Sequence, residues 1–342
     1  MPRQLDTALR QRASAGDIAA QFELATTLAR DGRHADALGW LVRAAERRHP
    51  HACHQLGARL LVGRAAPFDP RAGRQLLKIA ADGGILAARV LLAVITVVAG
   101  RPVDGVAMLR TAAEAGDPDA AEQLALLDAD GGLDIKRWLQ PLAGRVMHEA
   151  PRIVVFDALL PRAWCNWLIR RAQPRLERAR VVDPRTGERS PHPLRTNSGA
   201  GFGLLESDVI IQLAKLRIAA AVGSPASHQE PGNVLRYRPG EQYRLHLDWI
   251  APNPGNEAEL RVTGQRERTC LVYLNDGYAG GETTFPELDW RFRGQPGDAM
   301  VFANMHADGS ADRRTRHAGT PPESGEKWLY SVWIREREFP LA

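Results

Sequence analysis

The chain has 342 residues, of which 44% are hydrophobic and 25% charged, and its formal net charge is +5. That length exceeds what a single core usually serves, so two domains are expected. No stretch of about 18 uninterrupted apolar residues is present to span a bilayer, and the first ten residues lack the apolar segment of a signal peptide. Cys53, Cys165 and Cys270 are too few and too scattered for a disulfide framework or a zinc ribbon. A cytoplasmic protein with buried thiols and no membrane partner is expected.

Residues 1–132 repeat themselves. The triplets Ala15-Gly16-Asp17, Arg47-Arg48-His49, Gly83-Gly84-Ile85 and Ala115-Gly116-Asp117 are each followed at fixed distance by an alanine (Ala20, Ala52, Ala88, Ala120) and then a leucine (Leu24, Leu56, Leu92, Leu124). Alanine and leucine four residues apart share one helical face, where the small side chain lets a neighbouring helix come close. Second apolar runs lie between these helices, with Gly32, Pro70 and Pro102 at turns. Each unit therefore reads as a helix pair that cannot bury its apolar face alone, and stacking into a solenoid follows. The pattern resembles tetratricopeptide-like repeats. That resemblance implies either a protein-binding surface that recruits a substrate or a helical cap that stabilises the second domain.

Residues 133–149, with Trp138, are expected to form a connecting helix or linker, and residues 150–342 a second domain. Arg152–Phe156 reads as a strand and Pro161–Ile169 as a helix, with a further helix over about Glu206–Val222. Strands then dominate, at residues 234–237, 243–249, 269–274, 281–285, 299–302 and 328–335, separated by Gly and Pro. Short strands of this kind suggest a sandwich or jelly roll. The segment Arg170–Arg195 carries eight arginines against Glu177, Asp183 and Glu188, so it is either a positive field for an acidic partner or a solvated face.

The most informative motif is Tyr243–Trp249 (YRLHLDW). On a strand, His246 and Asp248 point to one side, which supplies an imidazole and a carboxylate together. A second histidine would complete the two-His, one-carboxylate face that leaves open positions on non-haem Fe(II). His317 is preferred, with Lys327 ten residues on; His306, with Arg316 ten residues on, competes. Lys327 opens a strand containing Trp328, Tyr330 and Trp333, whereas Arg316 sits in a polar run.

In this region the chain resembles the prolyl 4-hydroxylase-like branch of the 2-oxoglutarate and Fe(II)-dependent dioxygenases. The resemblance rests on Leu235–Tyr243 leading into His246 and Asp248, then Arg268-Thr269, Tyr273-Leu274-Asn275, Gly280–Pro286 (GGETTFP), Pro296–Ala299 (PGDA), His317–Gly319 (HAG) and Gly325–Trp328 (GEKW), in family order. It implies a double-stranded β-helix, or jelly roll, following the all-α array in a multidomain α + β chain. It further implies His246, Asp248 and His317 as catalytic iron ligands and Lys327 as the partner of the distal carboxylate of 2-oxoglutarate. Tyr237, Thr269 and Tyr273 would line the cosubstrate pocket, with O2 as oxidant and ascorbate as reductant. The implied activity is hydroxylation of a residue, proline first, in a peptide or protein, with 2-oxoglutarate decarboxylated to succinate. A small-molecule hydroxylase and a low-turnover scaffold are the alternatives. Asp248 argues against halogenation, and no interleaving of aromatic and basic residues suggests a nucleic-acid platform. Residues 181–199 resemble the loop that closes over the peptide in these hydroxylases, and the Pro, Gly, Asn and Glu content of residues 251–266 suggests a second, mobile loop, both folding over the iron.

Overall fold

The structure is a computed structural model that describes residues 7–182, 189–190 and 192–340. It divides into two compact units. The first runs through Leu133 and includes Ser207–Gln212, and the second comprises Asp134–Glu206 and Leu213–Pro340.

In the first unit lie helices α1 (Thr7–Ser14), α2 (Ile18–Arg30), α3 (His34–Glu46), α4 (Pro50–Val62), α5 (Pro70–Asp82), α6 (Leu86–Val98), α7 (Pro102–Glu114) and α8 (Pro118–Asp128). Each packs against the next. The repeated triplets precede α2, α4, α6 and α8, and the structure explains their composition. The middle residue takes positive φ in all four, at Gly16, Arg48, Gly84 and Gly116, a conformation that glycine adopts without steric penalty. The third residue is the N-cap: side chains of Asp17, His49 and Asp117 accept from the backbone N–H of Ala20, Ala52 and Ala120. Ile85 fills the same place without a side-chain cap. The repeated alanines and leucines are buried, each leucine contributing about 1.5–3 kcal/mol. Helices α4 and α5 meet at Gly57 and Gly73, where a Cβ added to either would stand 2.8 Å from the other's carbonyl oxygen.

The second unit begins with the one-turn helix α9 (Ile135–Trp138), so the expected connecting helix over 133–149 is brief. It is followed by strands β1 (Arg145–Glu149) and β2 (Arg152–Phe156), helix α10 (Arg162–Ala172), and short strands β3 (Glu177–Arg178), β4 (Val181–Val182) and β5 (Arg189–Ser190). Strand β6 (Ser198–Phe202) leads to α11 (Val209–Val222), β7 (Gly232–Tyr237), β8 (Tyr243–His246) and α12 (Glu257–Thr263). Next come β9 (Arg266–Tyr273), β10 (Tyr278–Gly280), β11 (Thr283–Phe285), β12 (Trp290–Phe292) and β13 (Ala299–Ala303). Strands β14 (His317–Gly319), β15 (Pro322–Gly325) and β16 (Lys327–Arg335) end the fold.

Two antiparallel sheets form the jelly roll: an eight-stranded sheet in the order β1-β2-β13-β9-β16-β7-β6-β3 and a four-stranded sheet β12-β11-β14-β8. Their apolar filling includes Ile153, Leu271, Phe285, Met300 and Phe302, and a second cluster of Leu235, Tyr237, Tyr273 and Leu329. Cys53, Cys165 and Cys270 are free and buried, and burial pushes the thiols of Cys165 and Cys270 up to about 12. No helix among the described residues is long and apolar enough to cross a membrane.

Two sequence expectations change. The segment 251–266, expected as a mobile loop, contains α12 and is anchored: the buried Arg335 guanidinium bonds Glu259, the Gly264 carbonyl and Glu230, and Arg266 pairs with the same Glu230. The arginine-rich segment is partly engaged in packing rather than free, since Arg170 and Arg171 stack on Trp167 and Arg175 donates to the Gly201 carbonyl. Of the expected loop 181–199, residues 183–188 and 191 lie outside the described residues.

The close approach at Gly57 and Gly73 makes a direct prediction. Gly73→Leu forces a side chain against backbone and should destabilise the array by about 1–3 kcal/mol, read as a lower thermal midpoint, with Gly39→Ala, which meets open space, as the neutral control.

Candidate metal and cosubstrate site

Strand pairing assembles the site. In the antiparallel register of β14 with β8, His317 lies directly opposite His246, so two imidazoles from distant parts of the chain become cross-strand neighbours with ring centroids 4.2 Å apart. Strand β8 ends at His246, and Asp248 sits two residues beyond it in a bend rather than on the longer strand expected. Trp249 and Ile250 hold the exit by donating to the Gly309 carbonyl and the Gln265 side chain. Asp248 Oδ1 then lies 3.6 Å from His246 Nε2, and Oδ2 lies 3.7 Å from His317 Nε2.

Each imidazole is oriented by its outer nitrogen. His246 Nδ1 lies 2.8 Å from the Arg244 carbonyl and His317 Nδ1 3.0 Å from the Thr315 carbonyl. A carbonyl can only accept, so both Nδ1 atoms carry the proton and both Nε2 lone pairs face inward. One ligand atom from each of His246, Asp248 and His317 lies within 4.8 Å of the others. Burial, with the neighbouring His246, lowers the His317 pKa to about 4. Burial alone would raise that of Asp248, but the adjoining His246 and His317 and the Arg266 guanidinium hold it below the usual carboxylate range. The set thus offers two inward imidazole nitrogens and one ionised carboxylate, the donor atoms that metal binding requires. Two nitrogens and one oxygen on one face fit a divalent iron with open positions.

Behind this face is a buried cation. Lys327 is fully buried, sits opposite Tyr237 in the β16–β7 register, and reaches Thr283, with Nζ 3.5 Å from Oγ1. Its ammonium lies 5.3 Å from the Tyr237 ring centroid and 5.7 Å from that of Tyr273. Among the described residues no carboxylate pairs with it, and burial, opposed by Glu282, lowers its pKa to about 7. A buried ammonium without a counter-ion is costly, and a carboxylate-bearing ligand removes that cost. Lys327, Leu329, Ser331 and Trp333, alternate residues of β16, line the same pocket as His246, Asp248 and His317. The residues therefore fit both a metal and an acidic cosubstrate.

The other sequence candidates divide. Tyr237 lines the pocket. Thr269 instead faces the metal face: its hydroxyl donates to Asp248 Oδ2 at 2.7 Å and accepts from Asn304 Nδ2 at 2.9 Å. Tyr273 stands behind Thr283, donating to its hydroxyl at 2.9 Å. His306 is exposed beside Asp312 and outside the cluster, while Arg316 pairs with Glu287. Sequence reasoning missed four contributors. Thr283 was visible within the GGETTFP motif, whereas Asn304 had no local signal. Tyr243 stacks on His246 with centroids 3.4 Å apart, and Arg195 covers Tyr243 at 4.6 Å.

The family model described as the 2OG-Fe(II) oxygenase superfamily matches residues 232–335, a span containing all three metal-facing residues and Lys327. Prolyl 4-hydroxylase 1 of Arabidopsis thaliana is 37% identical over 228 residues, covering 60% of this chain and 79% of that protein. Among solved structures, the viral collagen prolyl hydroxylase of Paramecium Bursaria Chlorella virus-1, in complex with 2OG, is 26% identical with a TM-score of 0.41, covering 54% of this chain and 95% of that one. A Sel1 repeat protein from Oxalobacter formigenes is 29% identical with a TM-score of 0.31, covering 34% of this chain and 94% of that one. The chain belongs to the prolyl 4-hydroxylase family of 2OG-Fe(II) oxygenases. It is accordingly a dioxygenase dependent on Fe(II) and 2-oxoglutarate.

The Asn304–Thr269–Asp248 chain predicts an effect on metal affinity. Thr269→Val keeps the shape and removes the hydrogen bond that orients the carboxylate, and should weaken Fe(II) binding by roughly 10-fold or more in an anaerobic titration. Unchanged affinity would show that the Asp248 rotamer is held by packing alone.

Proposed function

We propose that the protein hydroxylates a prolyl residue in a peptide or protein, with His246, Asp248 and His317 holding Fe(II) and Lys327 binding the distal carboxylate of 2-oxoglutarate. The reading is supported most by the buried Lys327 ammonium, which pairs with no carboxylate among the described residues and shares a pocket with the metal-facing cluster. The prolyl target is carried over from the relatives named above.

Bound Fe(II) would supply activation of O2 coupled to oxidative decarboxylation of 2-oxoglutarate, with succinate and carbon dioxide as coproducts and ascorbate as the reductant that maintains the ferrous state. The chain's own residues bind and orient. Asp248 is kept ionised by its surroundings and held by Thr269, while the two backbone carbonyls fix the imidazoles. Lys327, with Thr283 and Tyr237, supplies a charge-assisted site at the depth of the pocket, and Leu235, Leu271 and Leu329 keep that depth apolar. Water exclusion strengthens the Lys327 interaction.

The direct test is a supplied proline-containing peptide incubated with Fe(II), 2-oxoglutarate, O2 and ascorbate. Succinate should form in step with one added oxygen on proline. Succinate formation with an unmodified peptide across a varied panel would argue for another substrate class.

His246→Ala should abolish stoichiometric Fe(II) binding and turnover together. Lys327→Ala removes one charge-assisted bond worth about 1.5–3 kcal/mol, so the KM for 2-oxoglutarate should rise by roughly 10- to 100-fold with Fe(II) content unchanged. Since the cosubstrate pairs with the protonated amine, its affinity should be full below about pH 7, where free Lys327 is charged, and fall as pH rises through that value. Lys327→Arg should flatten this dependence, because arginine stays charged. An equally flat wild-type profile would remove Lys327 from the role.

A further inference from the structure

The helical unit contains a pocket that the oxygenase chemistry does not use. It has a volume of about 570 Å³ and lies between α5, α6 and α7. Arg71, Arg74 and Lys78 of α5 and Arg89 of α6 line it, against a single acidic residue, Asp82. The three α5 cations are spaced three and then four residues apart, so they form one stripe along the helix. No carboxylate among the described residues pairs with any of the three. Arg89 is fixed in place, its Nε donating to the Ala81 carbonyl at the end of α5 at 3.3 Å. Unpartnered cations gathered around a cavity produce a positive potential that a complementary anion stabilises.

We propose that this pocket binds an acidic polypeptide segment. The α5 stripe extends roughly 10 Å along the helix, at about 1.5 Å per residue. That is longer than one phosphate group can bridge, but it suits an extended chain, whose alternate side chains stand about 7 Å apart on one side. Gln75 and Thr111 offer hydrogen-bonding groups for such a chain, and Leu92 with Met108 gives it an apolar floor. Single-stranded nucleic acid fits less well, since no aromatic side chain lines the pocket for base stacking. The inference deepens the macromolecular-substrate reading and rests on it only for the link between docking and turnover, because binding itself needs no catalysis.

The test is fluorescence anisotropy on the full chain with labelled oligoglutamate, compared with oligolysine and oligothymidylate of equal length and with inorganic phosphate as competitor. Oligoglutamate should bind and weaken as salt is raised, oligolysine should not bind, and phosphate should compete only poorly. The double variant Arg74→Glu/Lys78→Glu should lose affinity by about tenfold or more, and the milder Arg74→Gln/Lys78→Gln should fall between it and the wild type. All four substituted side chains would be exposed, and thermal melting of each variant verifies folding. Absence of oligoglutamate binding, equal binding by the folded charge-reversed variant, or oligothymidylate binding as tightly as oligoglutamate would each overturn the proposal. Since anisotropy reads binding alone, failure of the hydroxylation reading leaves this measurement untouched.

Discussion

The pairing of β14 with β8 is the constraint on which the oxygenase site depends. It sets His317 across from His246, and everything else in the cluster is built around that pair. A slip of one residue in either strand would turn that strand's imidazole to the opposite face and part the pair. The register is also irregular in a useful way. Between the pairs Tyr243–Gly319 and His246–His317, β8 advances three residues while β14 advances two, which is a β-bulge. Simple alternation would put Tyr243 and His246 on opposite sides. The extra residue brings them to the same side, where their rings stack, and leaves Arg244 and Leu245 exposed between them.

Two kinds of charge are buried in the same pocket, and each waits for a ligand. The Asp248 carboxylate is stabilised by the Thr269 hydrogen bond and nearby positive potential, whereas among the described residues the Lys327 ammonium has hydroxyl and ring contacts and no carboxylate. Without ligands the second arrangement is unfavourable, and the jelly-roll core around it holds the strain in place through the Lys327–Tyr237 and Leu329–Tyr273 strand pairs. Fold stability thus sustains a binding site that is poorly satisfied on its own. The same logic applies in milder form to the helical unit, where exposed cations are solvated and need no such support.

The helical array was the most readable part of the chain because its signals are local. The triplet before each even-numbered helix encodes a left-handed turn followed by an N-cap, and both depend on residues within four positions. Arg48 shows the tolerance of that code: it occupies the left-handed slot at φ 60°, a conformation costing a non-glycine residue on the order of 1 kcal/mol, while His49 beside it still caps. In the second unit local signals were weaker. The loop over 251–266 looked mobile from its Pro, Gly and Asn content, yet Arg335 pins it from about 70 residues away in sequence. Sequence composition cannot report such an anchor.

The sequence by itself determined the residue types and order of the site: His246, Asp248, His317 and Lys327, embedded in family motifs whose spacing follows the strand period. It also determined the helical repeat, because helix caps and buried Ala–Leu faces are short-range properties. Only the tertiary structure decided which histidine meets which, since β14 and β8 lie some 70 residues apart and their register is a pairing property. It also moved Thr269 from the cosubstrate pocket to the Asp248 carboxylate and joined Asn304 to it. The same folding gathered Arg71, Arg74, Lys78 and Arg89 from two helices around one cavity. In each case the physical reason is that side-chain partners are chosen by packing across elements, which no single strand or helix encodes.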